Sequence, residues 1–248
     1  MNLILFDEPF ESIRLNADSW PAQHLRKVLR ADVGTLVFVG FVNGPRARAE
    51  VISAKSDGSY ELKTIATEPA PELLPIELLI GLPRPHTARR ILFEAASMGV
   101  RAIHFFLAEK SEPSYAESRL WKTDEWRERI IRGTEQAFGT HIPQVKLHPD
   151  IQSAMEIQET PSAKIALENY EASGPLGSFP INSNDLVAIA VGPERGWSKA
   201  ERATFRKNKW QLLHMGPHVL RTETACVAAI AALAPNLSLW RSQTETRI

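Results

Sequence analysis

Cysteine is almost absent from this chain, because Cys226 is the only one in 248 residues. A single cysteine excludes an internal disulfide and any metal site built from several thiolates. Cys226 lies in the small, apolar run Ala225–Ala234, which favours a buried structural thiol over a nucleophile. His214 and His218 have helical spacing, but the Gly-Pro pair between them prevents a helix, so no zinc pair is expected. We therefore predict no metal centre.

Long hydrophobic runs are also missing, since none approaches the ~20 residues needed to cross a bilayer. The amino terminus lacks the basic start, apolar stretch and small-residue cleavage site of a signal peptide. Apolar content of 44% and charged content of 23% are ordinary, which excludes the disordered and fibrous classes. These features predict a globular protein that stays in the cytoplasm and has no membrane partner.

Net charge is the third missing feature, because lysine plus arginine balance aspartate plus glutamate at 29 each. The balance is uneven along the chain. Basic side chains predominate from Arg84 to Lys146 and from Glu194 to Ile248, while acidic ones predominate in residues 147–193. Basic patches are therefore available to meet phosphates, although solvated charged faces would give the same counts.

Residues 1–68 contain short apolar runs separated by turn sequences. The predicted strands are Leu3–Phe6, Leu36–Val42, Ala47–Ile52 and Tyr60–Ile65. Asn-Gly and Asp-Gly pairs between β-rich runs are strong hairpin signals. One helix is predicted at Pro21–Arg30, with Ser19 as its candidate cap. The pattern indicates a small antiparallel barrel.

Three prolines in the nine residues Thr67–Pro75 disfavour regular structure and suit a semi-rigid linker. We place a domain boundary there, which divides the chain into residues 1–70 and 71–248. Beyond it, strands and helices alternate, a pattern that predicts an α/β domain with a parallel sheet and helices on both faces. The predicted strands are Ile76–Gly81, Ala102–Leu107, Gln144–Leu147, Lys164–Leu167, Leu186–Val191 and Trp210–Met215. The predicted helices are Ala88–Met98, Thr123–Phe138, Ile151–Ile157, Lys199–Asn208 and Thr224–Ala234.

Two strands of this domain end at a Gly-Pro pair and are each followed by a helix. Leu186–Val191 leads into Gly192-Pro193, and the strand that ends at Met215 leads into Gly216-Pro217. Ligands of open α/β sheets bind outside the carboxyl ends of the strands. We therefore expect both loops to line one small-molecule pocket.

These two loops resemble a known signature. Gly192–Glu201 reads Gly-Pro-Glu-Arg-Gly-Trp-Ser-Lys-Ala-Glu, and Met215–Ala225 reads Met-Gly-Pro-His-Val-Leu-Arg-Thr-Glu-Thr-Ala. Both are similar to the pattern of the RsmE-type methyltransferases, the SPOUT enzymes that methylate N3 of a uridine in 16S ribosomal RNA. Arg195 departs from that pattern, which has glycine at this position.

The resemblance extends over nearly the whole chain. His24–Gly34 is similar to the amino-terminal His-x-x-x-Val-Leu-Arg stretch of the family, and Glu94–Val100 to a later helix end, with Ser97 where the family has an acid. Glu135-Gln136 and Ile142-Pro143 also match, but the arginine expected between them is missing. The resemblance implies a PUA-like β-barrel, which binds RNA, in residues 1–70. A SPOUT domain with a deep trefoil knot would follow in residues 71–248.

The resemblance also implies S-adenosylmethionine as cofactor, a homodimer in which the partner completes each pocket, and 16S ribosomal RNA of the small subunit as partner. By matching motif, the cofactor pocket would contain Leu167, Glu168, Gly192, Glu194, Gly196, Met215, Gly216, Val219 and Leu220. Glycine allows unusual backbone angles and close approach of peptide groups to a ligand, which explains why glycine would be needed at positions 192 and 196. If position 195 needs a positive φ, arginine there would cost about 1 kcal/mol.

Methylation at uridine N3 requires loss of the imide proton and stabilisation of the negative charge that remains. Arg221 is the candidate for this task, because a guanidinium donates two parallel hydrogen bonds. Glu194 or Glu223 would orient Arg221 or accept the proton. The alternative for this stretch is an ordinary helix start, with Thr222 as cap and Glu223 in the first turn, and the two interpretations are compatible.

Candidate RNA-binding residues are basic side chains near the predicted loops and on the first helix. They are His24, Arg26, Lys27, Arg30, Arg84 and Arg195. Each can equally belong to a solvated basic face. Trp121, Trp126 and Trp197 could stack on an unpaired base, but core or interface packing is favoured for all three.

The sequence thus predicts an S-adenosylmethionine-dependent methyltransferase acting on N3 of a uridine in 16S ribosomal RNA. One alternative is a SPOUT RNA methyltransferase of other specificity. A second is a non-enzymatic RNA-binding module with a decayed cofactor pocket, which the arginine at position 195 would suit.

Overall fold

A computed structural model describes residues 3–156 and 161–237 of the chain. The chain forms two compact units. Unit 1 contains the residues up to Pro71 together with Thr134–Ile142, and unit 2 contains Glu72–Gly133 and the residues from Pro143 onward.

Unit 1 is built on a five-stranded sheet with the order β1-β3-β4-β5-β2. Its elements are β1 (Leu3–Phe6), β2 (Ser12–Leu15), α1 (Trp20–His24), a π-helical turn (Leu25–Leu29), β3 (Leu36–Phe41), β4 (Arg46–Ala54) and β5 (Tyr60–Glu68). The prediction of a wholly antiparallel arrangement is wrong at one place, because β1 runs parallel to β3. The edge strand β2 was not predicted, since four residues are too few to show a clear alternation.

The predicted helix Pro21–Arg30 is correctly placed but is not a single α-helix. Ser19 caps α1 as expected and accepts a hydrogen bond from the Ala22 amide (3.4 Å). After His24 the backbone widens into the π-helical turn, which ends at Arg30 with φ of 50°. The turn projects Arg26 and Arg30 into solvent and buries Leu25 in the core of unit 1.

Residues 134–142 return to unit 1 although they lie within the range assigned to the second domain from sequence. The buried Glu135 carboxylate accepts a hydrogen bond from the Leu5 amide of β1 (3.0 Å), and the Asn43 amide donates to the Thr140 carbonyl (2.9 Å). A side chain at Gly40 would place its Cβ 2.6 Å from the Thr140 methyl group. Gly40 therefore lets the returning segment lie directly on β3.

The proline-rich stretch is more ordered than predicted. β5 continues to Glu68 and the next strand begins at Leu74, so only residues 69–73 lie outside regular structure. Strand β5 extends this far because it pairs with β4, where Arg46 forms an ion pair with Glu68 (3.1 Å).

Unit 2 is an α/β unit with a seven-stranded sheet. Its strands are β6 (Leu74–Gly81), β7 (Val100–Phe106), β8 (Gln144–His148), β9 (Ala163–Leu167), β10 (Gly174–Pro175), β11 (Val187–Val191) and β12 (Gln211–His214). Its helices are α2 (Pro85–Ser97), α3 (Arg119–Lys122), α4 (Glu125–Gln136, whose last turn belongs to unit 1), α5 (Ile151–Met155), α6 (Lys199–Lys207) and α7 (Thr222–Leu233). The order is β10-β12-β9-β11-β6-β7-β8 and every pair is parallel, which confirms the predicted parallel sheet.

Most predicted elements of unit 2 are present with shifted ends. The predicted helix Thr123–Phe138 corresponds to α4, Glu125–Gln136, and the four-residue helix α3 before it was not predicted. The two-residue strand β10 was not predicted. Ile157, the predicted end of the helix that begins at Ile151, lies outside the described residues.

Strand β11 shows how the sheet is covered. Ala188 and Ala190 pack in one cluster with Ile151 of α5 and Phe205 of α6. The alternating residues of the strand point to the opposite face and are also buried, and α7 contacts β11. Small alanines on one face leave room for the bulky side chains of the covering helices, so both faces are closed to water.

Polar side chains of the neighbouring strands β6, β7 and β8 form a cluster. His104 Nδ1 is 3.0 Å from His148 Nε2, and His104 Nε2 is 3.9 Å from the buried Glu77 carboxylate. Burial, with the nearby His148 and Lys146, lowers the pKa of His104 to about 4. His104 is therefore neutral at neutral pH in the folded protein.

Cys226 is buried in α7 with 1% of its surface exposed, and burial raises the pKa of its thiol. The prediction of a buried thiol is confirmed. Within residues 3–156 and 161–237, no helix has the length and apolar character to span a membrane. In the same residues no group of three or more histidine, cysteine or acidic side chains could hold a metal ion.

Candidate active site

Unit 2 contains a cavity of about 580 Å³ at the carboxyl ends of β9, β11 and β12. This volume lies within the ~300–1,000 Å³ range of small-molecule sites. Two segments form a large part of its wall: Gly192–Ser198, here called the β11 loop, and Met215–Arg221, here called the β12 loop. The structure thus brings together the two Gly-Pro loops that the sequence placed in one pocket.

The β11 loop turns sharply at its glycines. Gly196 has φ of 63°, and its amide donates to the Pro193 carbonyl (2.8 Å). A Cβ at Gly192 would lie 3.2 Å from the Gly196 Cα, so the loop closes on itself where side chains are missing. Arg195 is not among the residues with positive φ, and its side chain is exposed. The strain considered for an arginine at this position is therefore not present.

Trp197 fixes the β11 loop to the core. Its side chain is 2% exposed, stacks on Phe106 with 6.0 Å between ring centroids, and meets the edge of Phe205 at 4.8 Å. Its indole N–H donates to the Leu167 carbonyl at the end of β9 (2.8 Å). The interpretation of Trp197 as a core residue is confirmed, and the same ring ties two walls of the cavity together.

Two cationic side chains bind the backbone of the β11 loop. The Trp197 carbonyl accepts hydrogen bonds from Lys110 Nζ (2.7 Å) and from the Arg202 guanidinium (3.0 Å). Lys110 also donates to the Arg195 carbonyl (3.2 Å) and lines the cavity. Hydrogen bonds from charged donors are stronger than neutral ones, so Lys110 acts as a clamp on the loop.

The end of the β11 loop is a capping box for α6. The Ser198 hydroxyl accepts a hydrogen bond from the Glu201 amide (3.0 Å), and the Glu201 carboxylate accepts one from the Ser198 amide (2.7 Å). The other Glu201 oxygen accepts from the Glu109 amide (2.9 Å). The Ser-x-x-Glu spacing in the sequence therefore has a structural cause, because it satisfies free amides at the helix start.

Glu194 reaches the amino-terminal end of α2. Its carboxylate accepts hydrogen bonds from the Arg84 amide (3.0 Å) and the Thr87 hydroxyl (3.4 Å). Unsatisfied amides and the helix dipole favour an anion at this position. Glu194 thus connects the β11 loop to the helix that follows β6.

The β12 loop makes fewer contacts. Gly216 has φ of 102°, and its amide donates to His214 Nδ1 (3.1 Å). Val219 is 75% exposed. Thr222 is the first residue of α7 and not its cap, because Arg221 occupies the cap position. The Thr222 hydroxyl instead donates to the Gly192 carbonyl (3.5 Å), which joins the two loops.

Charged side chains surround the cavity mouth. The exposed Arg221 lines it, and none of the carboxylates described lies within 4.0 Å of its guanidinium. Glu223 also lines the cavity but is engaged, since its carboxylate forms an ion pair with Arg90 (3.2 Å). Arg221 therefore keeps its hydrogen-bonding capacity for a ligand.

The third wall is the end of β9. Glu168 is 5% exposed, and its carboxylate accepts hydrogen bonds from the Tyr170 amide (2.8 Å) and from Arg202 (3.5 Å). Glu168 is therefore a support of the wall rather than a free acceptor.

Comparison with known proteins assigns the family. A model described as the RNA methyltransferase domain matches residues 70–234. The ribosomal RNA small subunit methyltransferase E of Treponema pallidum is 31% identical, with 88% of this chain and 84% of that protein covered. A Borreliella burgdorferi relative, ribosomal RNA small subunit methyltransferase E 1, is 30% identical over 96% of this chain and 99% of its own length. The chain belongs to the ribosomal RNA small subunit methyltransferase E family.

A solved structure of the same family shows the same fold. The Neisseria gonorrhoeae ribosomal RNA small subunit methyltransferase E, solved bound to S-adenosyl methionine, superposes with a TM-score of 0.79 at 22% identity. The match covers 96% of this chain and 98% of that one. The fold of the methyltransferase E family therefore extends over both units.

The site residues predicted from the sequence are separated by the structure. Those on the cavity wall are Leu167, Glu168, Gly192, Glu194, Gly196, Met215, Val219, Leu220, Arg221, Glu223, Arg84 and Arg195. Gly216, which was also assigned to the cofactor, shapes the β12 loop but does not line the cavity.

The four remaining RNA-binding candidates lie in unit 1. His24 stacks on Trp20 with 4.9 Å between ring centroids, which favours a packing role for this ring. Arg26 approaches the Gly58 carbonyl (3.5 Å), and Lys27 donates to the Gln23 side chain (3.2 Å). Arg26, Lys27 and Arg30 are exposed on one turn. The structure therefore separates His24 from the other three.

Sequence reasoning missed several residues of the cavity. Lys110 follows the end of β7, and Thr87 lies in the first turn of α2 after β6. The carboxyl ends of all parallel strands meet at one edge of the sheet, so residues after β6 and β7 could have been considered alongside the two Gly-Pro loops. No sequence pattern indicated a role for Tyr170 or Arg202, since their roles depend on contacts between distant parts of the chain.

Proposed function

We propose that the protein transfers a methyl group from S-adenosylmethionine to N3 of a uridine in 16S ribosomal RNA of the small subunit. Membership of the methyltransferase E family supports the activity and the substrate class. The observation that carries the site assignment is a cavity lined by both signature loops and by Arg221, which forms no ion pair with the described carboxylates.

The cavity fits the cofactor. Its volume of about 580 Å³ suits a ligand of drug size, and its walls combine apolar side chains such as Leu167 and Val219 with exposed peptide groups around Gly192 and Gly196. Residues of the β11 and β12 loops and of the β9 end would hold the molecule. When bound, it supplies an electrophilic methyl group on a sulfonium.

Arg221 would stabilise the substrate anion. Removal of the N3 proton leaves negative charge on the ring and on both flanking carbonyl oxygens, and a guanidinium can meet this edge with paired hydrogen bonds. Arg221 forms no ion pair with the described acids, since its neighbour Glu223 is paired with Arg90. Arg221 can therefore bind the substrate anion without breaking an existing contact.

The proton acceptor is one of two carboxylates. Glu194 is exposed but is bonded to the start of α2, and Glu223 is mostly buried beside Arg90. We favour a positioning role for Glu194, because its donors hold it at the helix end. Glu194→Gln keeps an oxygen acceptor and should retain methyl transfer within about threefold, whereas loss of a general base costs about 100-fold or more. A loss of that size in Glu194→Gln, and not in Glu223→Gln, would reverse this assignment.

The non-enzymatic alternative has lost its main support, because Arg195 is accommodated without a positive φ. The finer features of the family remain part of the proposal: a trefoil knot in a SPOUT domain of residues 71–248, a PUA-like RNA-binding barrel in residues 1–70, a homodimer and a cytoplasmic location. The interior position of β12, the last strand within the described residues, supports a knotted path. Ala231 and Ala232, exposed on α7, would suit close packing in a dimer, which sedimentation can test.

The experiment is methyl transfer from labelled S-adenosylmethionine to small subunits from a strain that lacks its own enzyme. A methyl group on N3 blocks the pairing edge, so primer extension should stop at one uridine. Arg221→Ala should lower the rate about 100- to 1,000-fold, because it removes the charge partner of the anion. Calorimetry should show that this variant still binds S-adenosylmethionine. Methylation without a stop would exclude N3 as the target atom.

A further inference from the structure

Two strongly exposed apolar side chains lie on the wall of the same cavity. Tyr170 is 86% exposed and Val219 is 75% exposed, the highest values among the large hydrophobic residues of the described chain. Tyr170 follows β9, and Val219 lies in the β12 loop. Single exposed apolar residues are ordinary on a protein surface, but two at the mouth of one functional cavity indicate a binding surface.

The backbone under Tyr170 is firmly held. Its amide donates to the Glu168 carboxylate (2.8 Å), which Arg202 contacts from the other side (3.5 Å). Arg202 also forms an ion pair with Glu171 (2.9 Å), the next residue along the chain. An exposed ring on a fixed backbone loses little conformational entropy when a ligand stacks on it.

The charge around the cavity identifies the ligand class. Arg84, Arg195 and Arg221 line the cavity, and no described carboxylate approaches their guanidinium groups within 4.0 Å. The carboxylates that also line it are bonded to other groups: Glu168 to Arg202, Glu194 to the start of α2, and Glu223 to Arg90. Cationic side chains beside an exposed aromatic ring are the combination with which proteins bind single-stranded nucleic acid, through phosphates and through stacked bases.

We propose that Tyr170 is a stacking platform for an unpaired base of the substrate RNA beside the methylation pocket. This inference rests on the proposed function. Chemistry at the pairing edge of a uridine requires that base to leave its partner and its stack. The tyrosine ring offers a replacement stacking surface to a base displaced in this way.

The test measures the dissociation constant for the unmethylated small subunits used above, together with methyl transfer. Tyr170→Ala should weaken subunit binding about tenfold, the lower range for loss of one base–aromatic stack. Tyr170→Phe is the matched control, since it keeps the ring and removes only the hydroxyl, and it should bind within about twofold of the wild type. S-adenosylmethionine affinity and sedimentation should be unchanged in both variants.

Each other outcome overturns the stacking role. If Tyr170→Ala binds the subunit as tightly as the wild type does, Tyr170 makes no contact with the RNA. If Tyr170→Ala and Tyr170→Phe lose the same affinity for the subunit, the contact comes from the hydroxyl and not from the ring. Weaker S-adenosylmethionine binding would place the ring against the cofactor, and a changed sedimentation coefficient would place it between two copies of the chain. Absence of methylation by the wild type refutes the proposed function itself, while the binding comparison still decides the role of Tyr170.

Discussion

The two loops that form the cavity differ sharply in how they are held. The β11 loop is fixed by a buried tryptophan, two cations and a capping box, whereas the β12 loop has one amide contact to His214 and a hydroxyl contact from Thr222. Val219 in the β12 loop stays exposed, while Trp197 in the β11 loop is buried. The difference indicates a division of roles, with a rigid wall that shapes the cavity and a wall that is held by fewer contacts.

The largest expected effect comes from removing the anchor of the rigid wall. Trp197→Ala deletes a buried indole and its hydrogen bond to Leu167, so the free energy of unfolding should fall by about 3–5 kcal/mol. Val219→Ala in the β12 loop should change it by less than about 0.5 kcal/mol, because that side chain is already in water. Urea denaturation measures both. Similar losses in the two variants would contradict the proposed division.

An intermediate effect is expected in acid and should weaken the sheet that carries both loops. His104 has a folded pKa of about 4, below the ordinary value of 6.5, so the unfolded chain takes up this proton first. The contribution of His104 to the free energy of unfolding is therefore fully present above pH 6.5. It is lost as the pH falls toward 4, which lowers this free energy by about 1–3 kcal/mol. The neighbouring His148 also has a lowered pKa and adds to the effect.

Denaturation curves between pH 7 and pH 4 measure this dependence. His104→Gln should flatten it, although the contribution of His148 remains. A variant that keeps the full slope would show that His104 is not the group responsible.

The smallest of these effects concerns the clamp on the rigid wall. Lys110→Met removes hydrogen bonds to the Trp197 and Arg195 carbonyls and should cost about 1–2 kcal/mol of stability. Since the loop then loses its fixed shape, S-adenosylmethionine affinity should fall about tenfold by calorimetry. Lys199→Met, an exposed lysine at the start of α6, should leave both values unchanged. Unchanged cofactor affinity in Lys110→Met would mean that the loop needs no clamp.

The local part of this architecture was predictable from sequence. Strand β11 is a continuous apolar run, which identifies it as a buried strand. The Gly-Pro pairs and the Ser-x-x-Glu box involve residues that are close in sequence, so the positions of both loops could be predicted. Their difference in rigidity could not be predicted. It depends on Lys110 and Arg202, which are remote in sequence from one another and come together only in the folded sheet. The role of Thr222 was misjudged for the same reason, since its partner Gly192 is thirty residues away.

The return of residues 134–142 to unit 1 affects the order in which the chain can fold during synthesis. The Leu5 amide has its acceptor on Glu135, and Gly40 in β3 lies against Thr140, so the first seventy residues leave the ribosome without these partners. Unit 1 therefore cannot be completed until most of the first half of unit 2 has been translated. A fragment cut at the proline-rich stretch would lack residues 134–142 and with them the acceptor for the Leu5 amide.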